Sequence, residues 1–223
     1  WGSARPVDSL GLLWSRSIPI LTSNYILSGD VNGDRKLEIV TVQSDTLFIF
    51  SSAGEMLVRT YVGISGQGRG ADATMLEDIV GDSALEIGIG YDRLYGQNGD
   101  WKTRIYDGAG PMLREFTKNG SHDGGMFPRT AIGQDIIISQ HADYSADIRG
   151  FSRWDFNSGF EFWQYDVGPH AWDISIADIN NDGFLEMSWG SFTPHNGSIG
   201  NGTTDGDCYT LLFNEHGTNL LTQ

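Results

Sequence analysis

The sequence holds a single cysteine, Cys208, so no disulfide can form within the chain and no bridge reports its redox compartment. Basic residues are scarce: 14 Lys and Arg stand against 29 Asp and Glu, a formal charge of −15. That balance disfavours nucleic acid as a partner, because phosphate contacts need clustered Lys and Arg. No apolar run approaches the roughly 20 residues of a transmembrane helix, so no membrane span is expected. Helical periodicity is lacking as well. The five histidines, His122, His141, His170, His195 and His216, include no pair with the spacing of a zinc site on one element. There is no nucleophile elbow or Ser-His-Asp order, and Gly66-Gln67-Gly68-Arg69-Gly70 lacks the strand-turn-helix context of a phosphate loop. The chain starts at Trp1 with neither methionine nor signal peptide, which reads as a processed or excised segment.

What is present points to a folded, turn-rich protein. Hydrophobic residues make up 39% of the 223 positions, aromatics 12%, and there are 30 glycines. A chain of this length suits one all-β domain.

One stretch organises the rest. In Asp30-Val31-Asn32-Gly33-Asp34-Arg35-Lys36-Leu37-Glu38, oxygen donors Asp30, Asn32, Asp34 and Glu38 fall at positions 1, 3, 5 and 9, ahead of an apolar strand. Calcium takes 6–8 oxygens, and side chains at alternate loop positions, one backbone carbonyl and a closing carboxylate supply such a shell. The spelling returns as Asp178, Asn180, Asp182 and Glu186. A weaker copy keeps Asp78, Asp82 and Glu86 but has Val80 at position 3. By analogy with other curled calcium loops, position 7 gives its carbonyl: Lys36, Ala84 and Phe184. An EF-hand is excluded, because position 12 is Thr41 or Trp189 rather than a bidentate Glu. Asp, Asn and Gly also gather in ordinary turns, but three loops with one spacing, each followed by Leu-Glu and an apolar strand, outweigh that reading. Three calcium ions would bring the formal charge from −15 to about −9.

The copies expose a repeat of about 50 residues. Glu38 and Glu86 lie 48 residues apart, and Glu86 and Glu186 lie 100 apart, or two periods. Midway, the strand Asp135-Ile136-Ile137-Ile138-Ser139 follows Phe127-Pro128-Arg129-Thr130-Ala131, read as a loop that has lost its carboxylates. After each loop come an aromatic strand, a turn with Gly54, Gly110, Gly159 or Gly217, and an outer strand. For the first repeat the expected strands are 25–28, 37–43, 47–51 and 56–62. Four-stranded antiparallel units at this period are the pattern of propeller blades. The expected organisation is an N-terminal segment over 1–19, with an outer strand around Trp14, then four repeats at about 20–62, 63–117, 118–166 and 167–223.

These loops, with the Phe/Tyr-x-x-x-Gly-x-x-Leu hairpin after each, resemble the FG-GAP and VCBS repeats of β-propellers, as in integrin α-subunit heads, fungal lectins and many secreted microbial proteins. The propeller of family 11 rhamnogalacturonan lyases looks similar too. The resemblance implies an all-β propeller of about four four-stranded blades within a larger one, since such propellers close with about seven; a closed four-blade ring is the alternative. It also implies calcium in the acidic loops. The chain departs from the pattern in carrying Glu rather than Asp at position 9 and in lacking Phe-Gly or Gly-Ala-Pro tripeptides.

The functional expectation is a calcium-stabilised extracellular module, secreted or on the cell surface, that engages protein or glycan through rim loops. The alternatives are a polysaccharide lyase, in which calcium neutralises a uronate, and a lectin using Trp101, Trp154, Trp163, Trp172 and Trp189. At strand positions those tryptophans read first as packing between blades. His122-Asp123, His141-Ala142-Asp143 and His170-Ala171-Trp172-Asp173 fall near strand ends, where a central face could gather them. Two long loops, 63–70 and 193–207, are candidate binding segments. Sequons begin at Asn119, Asn196 and Asn201.

Overall fold

The computed structural model describes residues 14–15, 25–43, 45–64, 71–92, 99–120, 124–142 and 149–223, without the side chains of 141 and 171–173. The described residues are all β, in 18 strands with no helix. They form four successive antiparallel meanders. The first comprises β1 (Ile26–Gly29), β2 (Glu38–Gln43), β3 (Thr46–Phe50) and β4 (Met56–Tyr61), paired in chain order. The second holds β5 (Ala71–Glu77), β6 (Glu86–Asp92), β7 (Trp101–Tyr106) and β8 (Met112–Lys118), and the third β9 (Gly124–Ile132), β10 (Asp135–Ala142), β11 (Gly150–Asp155) and β12 (Glu161–Asp166). The fourth is β13 (His170–Ala177), β14 (Glu186–Phe192), β17 (Thr210–Asn214) and β18 (Asn219–Thr222), with a two-stranded hairpin, β15 (Ile199–Gly200) and β16 (Thr203–Thr204), between β14 and β17.

Two features differ from the expectation. The segment 127–131 is not a loop but the second half of β9, and the link to β10 is a two-residue turn in which Gly133 takes φ 59°. Pro128 cannot donate to a ladder, and it is accommodated where the β9–β10 register shifts opposite Ile137 and Ile138. The second and third meanders are also not separate sheets. The end of β6 pairs with β9 through Tyr91–Met126 and Asp92–Gly125, fusing the two into eight strands. Glycine permits this approach, since a Cβ on Gly125 would lie 2.5 Å from the Tyr91 carbonyl oxygen.

The core lies between consecutive meanders, and period-2 alternation decides which side each residue serves. Val40, Val42, Leu47 and Ile49 of the first meet Ile87, Ile89 and Tyr106 of the second. Trp101, Ile105 and Phe116 meet Ile136, Ile138 and Trp154. Ile137 points the other way and joins Phe151, Met187, Trp189, Leu211 and Phe213. The unbroken Ile136-Ile137-Ile138 run thus belongs to a strand buried on both faces. Packing runs only between chain neighbours: β1 and β2 on β5, β5 to β7 on β9, and β9 to β11 on β13, with no comparable contact between the first and fourth meanders among the described residues.

The turn glycines follow the same order. A Cβ on Gly110 would meet Val58 and Thr60 of the first meander, one on Gly159 would approach Arg114 of the second, and one on Gly217 would strike Trp163 of the third. Gly54 faces Trp14 in the same way, and the Trp14 indole N–H donates to the Ser52 carbonyl at 3.0 Å. Apart from Trp14 and Ser15, the expected N-terminal outer strand lies outside the described residues, as do 65–70 of the first long loop.

Candidate metal centre

Each acidic loop closes one meander's first hairpin, and its carboxylates first serve the backbone. Asp30 Oδ1 accepts the N–H groups of Gly33 (2.8 Å) and Asp34 (3.1 Å), and Oδ2 accepts that of Arg35 (2.7 Å). Asn32 Oδ1 accepts from Asp34 (2.9 Å), and Asp34 Oδ1 from Lys36 (2.8 Å). The pattern repeats in the second loop, where Asp78 takes Gly81 and Ser83, and Asp82 takes Ala84. In the fourth meander's loop Asp178 takes Asp182 and Gly183, Asn180 takes Asp182, and Asp182 takes Phe184. Each position-7 residue is therefore anchored by the position-5 carboxylate.

All three loops share one backbone. Positions 4 and 6 are left-handed throughout: Gly33 and Arg35 (φ 75° and 66°), Gly81 and Ser83 (83° and 77°), Asn181 and Gly183 (59° and 89°). A left-handed Arg or Ser is costly, of order 1–3 kcal/mol, and persists only where its surroundings enforce it. Asp30 Oδ2 on the Arg35 N–H and Asp78 Oδ2 on the Ser83 N–H, at 2.7 and 3.1 Å, are such enforcement. The sequence pointed to one curling residue, Gly33; it gave no sign of the second.

The glutamate at position 9 has a role that the spacing did not disclose. Glu38, Glu86 and Glu186 are buried, at 1%, 2% and 4% exposure. Each turns Oε2 back onto the position-2 N–H: Val31 at 3.2 Å, Ile79 at 2.6 Å and Ile179 at 2.8 Å. The position-2 N–H lies across the loop, and the extra methylene of Glu extends the carboxylate's reach towards it. Burial pushes the Glu38 carboxyl above its ordinary value, the Val31 N–H opposes this, and the negative charges of Asp34 and Asp30 add to it. Glu86 is raised by burial too, against the N–H groups of Ile79 and Val80. Asp34 is lowered, first by the Lys36 backbone N–H and then by its side chain.

The loops differ in convergence. Ligand oxygens of Asp30, Asp34 and Glu38 all lie within 4.8 Å of one another, and no second group of this kind occurs among the described residues. In the fourth meander the Asn180 amide donates to Glu186 Oε1 at 3.2 Å, occupying the oxygen that Oε2 leaves over. In the second loop Val80 is 41% exposed and offers no donor. The first loop is also braced from outside, because the Leu85 N–H of the second loop donates to the Asp30 carbonyl at 2.9 Å. Three convergent carboxylates, the buried Glu38 among them, are a donor set that fits a hard dication. Asn32 and the Lys36 carbonyl stand in the same loop to extend it.

The other sequence candidates divide. Trp101, Trp154 and Trp189 are buried in the cores and cannot stack on a sugar, and Trp163 is partly buried. The side chains of Trp172 and His141, and the whole of His122, Asp123 and Asp143, lie outside the described residues. His170 is buried with Nε2 2.8 Å from the Ala142 carbonyl. The long loop 193–207 is pinned by a residue that the sequence did not single out. The Arg149 side chain, 0% exposed, donates to the carbonyls of Ala142 and Gly168, to Asn196 Oδ1 at 2.6 Å and to Asp205 Oδ2 at 3.4 Å. Lone arginines in sequence carry no signal of this kind, because their partners are set by tertiary placement.

No family model matches the chain, and no curated protein matches it. Among solved structures it is similar to the V. cholerae biofilm matrix protein Bap1, with a TM-score of 0.52 and 18% identity over 89% of this chain. The match spans 28% of that protein's length, and at this identity it establishes a shared all-β fold.

Proposed function

We propose that the chain is a calcium-stabilised extracellular binding module, a portion of a larger β-propeller of FG-GAP/VCBS type, secreted or at the cell surface, that engages a protein or glycan. The observation that carries the calcium reading is the convergence of Asp30, Asp34 and Glu38 within 4.8 Å, in a loop whose backbone two others share. Isolated turns have no reason to bury a glutamate against two other carboxylates. An ion held by Asp30, Asn32, Asp34, Glu38 and the Lys36 carbonyl is closed by protein donors, so its role is structural rather than catalytic.

The architectural reading rests on the ordered packing of each meander on the one before and on the turn glycines that face the preceding outer strand. Trp14 stands to Gly54 as Trp163 stands to Gly217, which is the place of an outer strand from one further blade. At the other end Ile179 is 56% exposed, whereas its counterparts Val31 and Ile79 are buried in cores shared with the next meander. Large exposed apolar side chains in register mark a surface made to be covered. Millimolar calcium outside cells suits such sites, and the likeness to a biofilm matrix protein supports an extracellular setting.

The test is thermal unfolding of the chain in excess calcium and in excess chelator. A calcium-dependent rise in Tm, weakened by Asp30→Ala, is expected. Identical melts in both buffers would overturn the calcium reading.

A further inference from the structure

Resting on the glycan-binding reading above, we propose that an open groove between the third and fourth meanders is a binding site for an uncharged hexopyranose unit of a glycan. The groove has a volume of about 410 Å³ and is lined by Asp135, Arg153, Phe162, Trp163, Glu215 and His216. That volume is within the usual range of small-ligand sites, roughly 300–1,000 Å³.

Arg153 and Asp135 are held in place before any ligand arrives. Arg153 donates through Nε (2.8 Å) and Nη2 (2.5 Å) to Asp135 Oδ2, and through Nη1 (2.6 Å) to the Glu215 carbonyl. The Trp163 indole N–H reaches the same carbonyl at 3.3 Å. Both meanders are thereby fixed on one backbone oxygen, so the two walls of the groove keep their spacing. Gly217 lies on the Trp163 ring and Phe151 meets it edge-on at 5.7 Å, so Trp163 is wall rather than platform.

The platform is Phe162, 49% exposed in β12. It is braced by Phe160 at 5.8 Å and by the Arg153 guanidinium 5.9 Å from its centroid. An exposed, rigid aromatic face offers apolar area at little entropy cost and suits the C–H face of a pyranose ring. Acceptors stand beside it: Asp135 Oδ1, which Arg153 does not engage, and the Glu215 carboxylate, whose neighbour is His216 Nε2 at 3.5 Å. Carboxylates are acceptors only and match the hydroxyl donors of a sugar.

Charge selects the sugar. The Arg153 guanidinium is committed to Asp135, so the Glu215 carboxylate leaves the groove net negative, on a chain whose formal charge is −15. A uronate would meet like charge without a free cation to receive it. The groove therefore takes neutral hexoses and rejects acidic ones, opposite to what a uronate lyase requires.

The experiment titrates the chain, in calcium, with neutral gluco-, galacto- and manno-configured oligosaccharides and with oligogalacturonate, following calorimetric heat and the intrinsic fluorescence of the seven tryptophans. Phe162→Ala and Glu215→Gln are run beside it; both alter exposed or partly exposed side chains, and their melts report folding. At least one neutral glycan is expected to bind saturably, with affinity falling about tenfold or more in each variant, equivalent to about 1.4 kcal/mol, and oligogalacturonate is not expected to bind. Neutral-glycan binding undiminished in both variants would overturn the groove and leave glycan binding by the module standing. No neutral glycan bound at all would overturn the groove and the glycan arm together, with the calcium-dependent melt unaffected. Oligogalacturonate bound more tightly than any neutral glycan, and lost in Phe162→Ala, would overturn the charge argument.

Discussion

Replacing Glu38 by Gln separates a metal site from an ordinary braced turn, because the two readings give opposite signs. Gln keeps an acceptor for the Val31 N–H, now served at 3.2 Å by Oε2, and removes a charge that burial and the Asp30 and Asp34 carboxylates disfavour. In chelator, Glu38→Gln should therefore melt no lower than the parent. In calcium, a closing carboxylate is missing. A site filled at a hundred times its Kd contributes about 2.7 kcal/mol, and for a chain of 223 residues that is roughly 5–11 °C in Tm at about 2–4 °C per kcal/mol. Most of this increment should vanish in Glu38→Gln. Asp30→Ala is the contrast: it strips acceptors from Gly33, Asp34 and Arg35 and should cost about 0.5–2 kcal/mol in either buffer. Scanning calorimetry of the three proteins in calcium and in chelator reads all six values. A calcium increment left intact in Glu38→Gln would refute the reasoning, for the carboxylate would then be purely a backbone brace that the Gln carbonyl replaces.

Val80→Asn restores the missing position-3 donor at a site 41% exposed, so it should tighten calcium binding by the second loop without a packing cost; unchanged calcium binding by calorimetry would show that loop to be structural only. Arg149→Met leaves buried Asp205 without its cation and takes a donor from Asn196 Oδ1, and should cost about 3–5 kcal/mol, with faster amide exchange across 193–207; unchanged protection there would contradict the pinning role. Stability should also fall in acid. Burial works to raise the Glu115 carboxyl, yet hydrogen bonds from Lys102 and Arg104 at 2.5 and 2.7 Å hold it below its ordinary value near 4.5. Burial likewise works to raise Asp205, but the N–H groups of Asn196, Ser198 and Gly197, with Arg149, outweigh it and hold the carboxyl below its ordinary value of 3.8. Carboxylates lowered in the folded state stabilise fully above their unfolded values and lose that contribution as pH falls through the folded ones. In chelator, Glu115→Gln should therefore lose less stability than the parent as pH falls below about 4.5, a comparison in which the opposite contributions of the raised Glu38 and Glu86 cancel.

The strand pattern and the acidic loops were legible in the sequence because both are local. Alternation along β2, β3, β10 and β11 follows from side-chain direction in a strand, and the donor spacing in 30–38, 78–86 and 178–186 lies within nine residues. What the sequence could not decide involves partners far away in the chain. Residues 127–131 became strand because β10 was there to pair with them, where the repeat alignment had placed a loop. The second and third meanders fused because glycine at 125 let β9 approach the end of β6. Position 9 calls for an oxygen in the sequence, and only the folded loop gives one of its two oxygens to the Val31, Ile79 or Ile179 N–H. Equal spacing likewise did not make equal sites: the carboxylates of 30–38 converge and those of 178–186 do not, and there the Asn180 amide donates to Glu186 instead. Composition alone fixed the net charge of −15, but where that charge converges at Asp30, Asp34 and Glu38, is cancelled by Arg149 or faces a groove beside Phe162 was set by the folded structure, which composition does not encode.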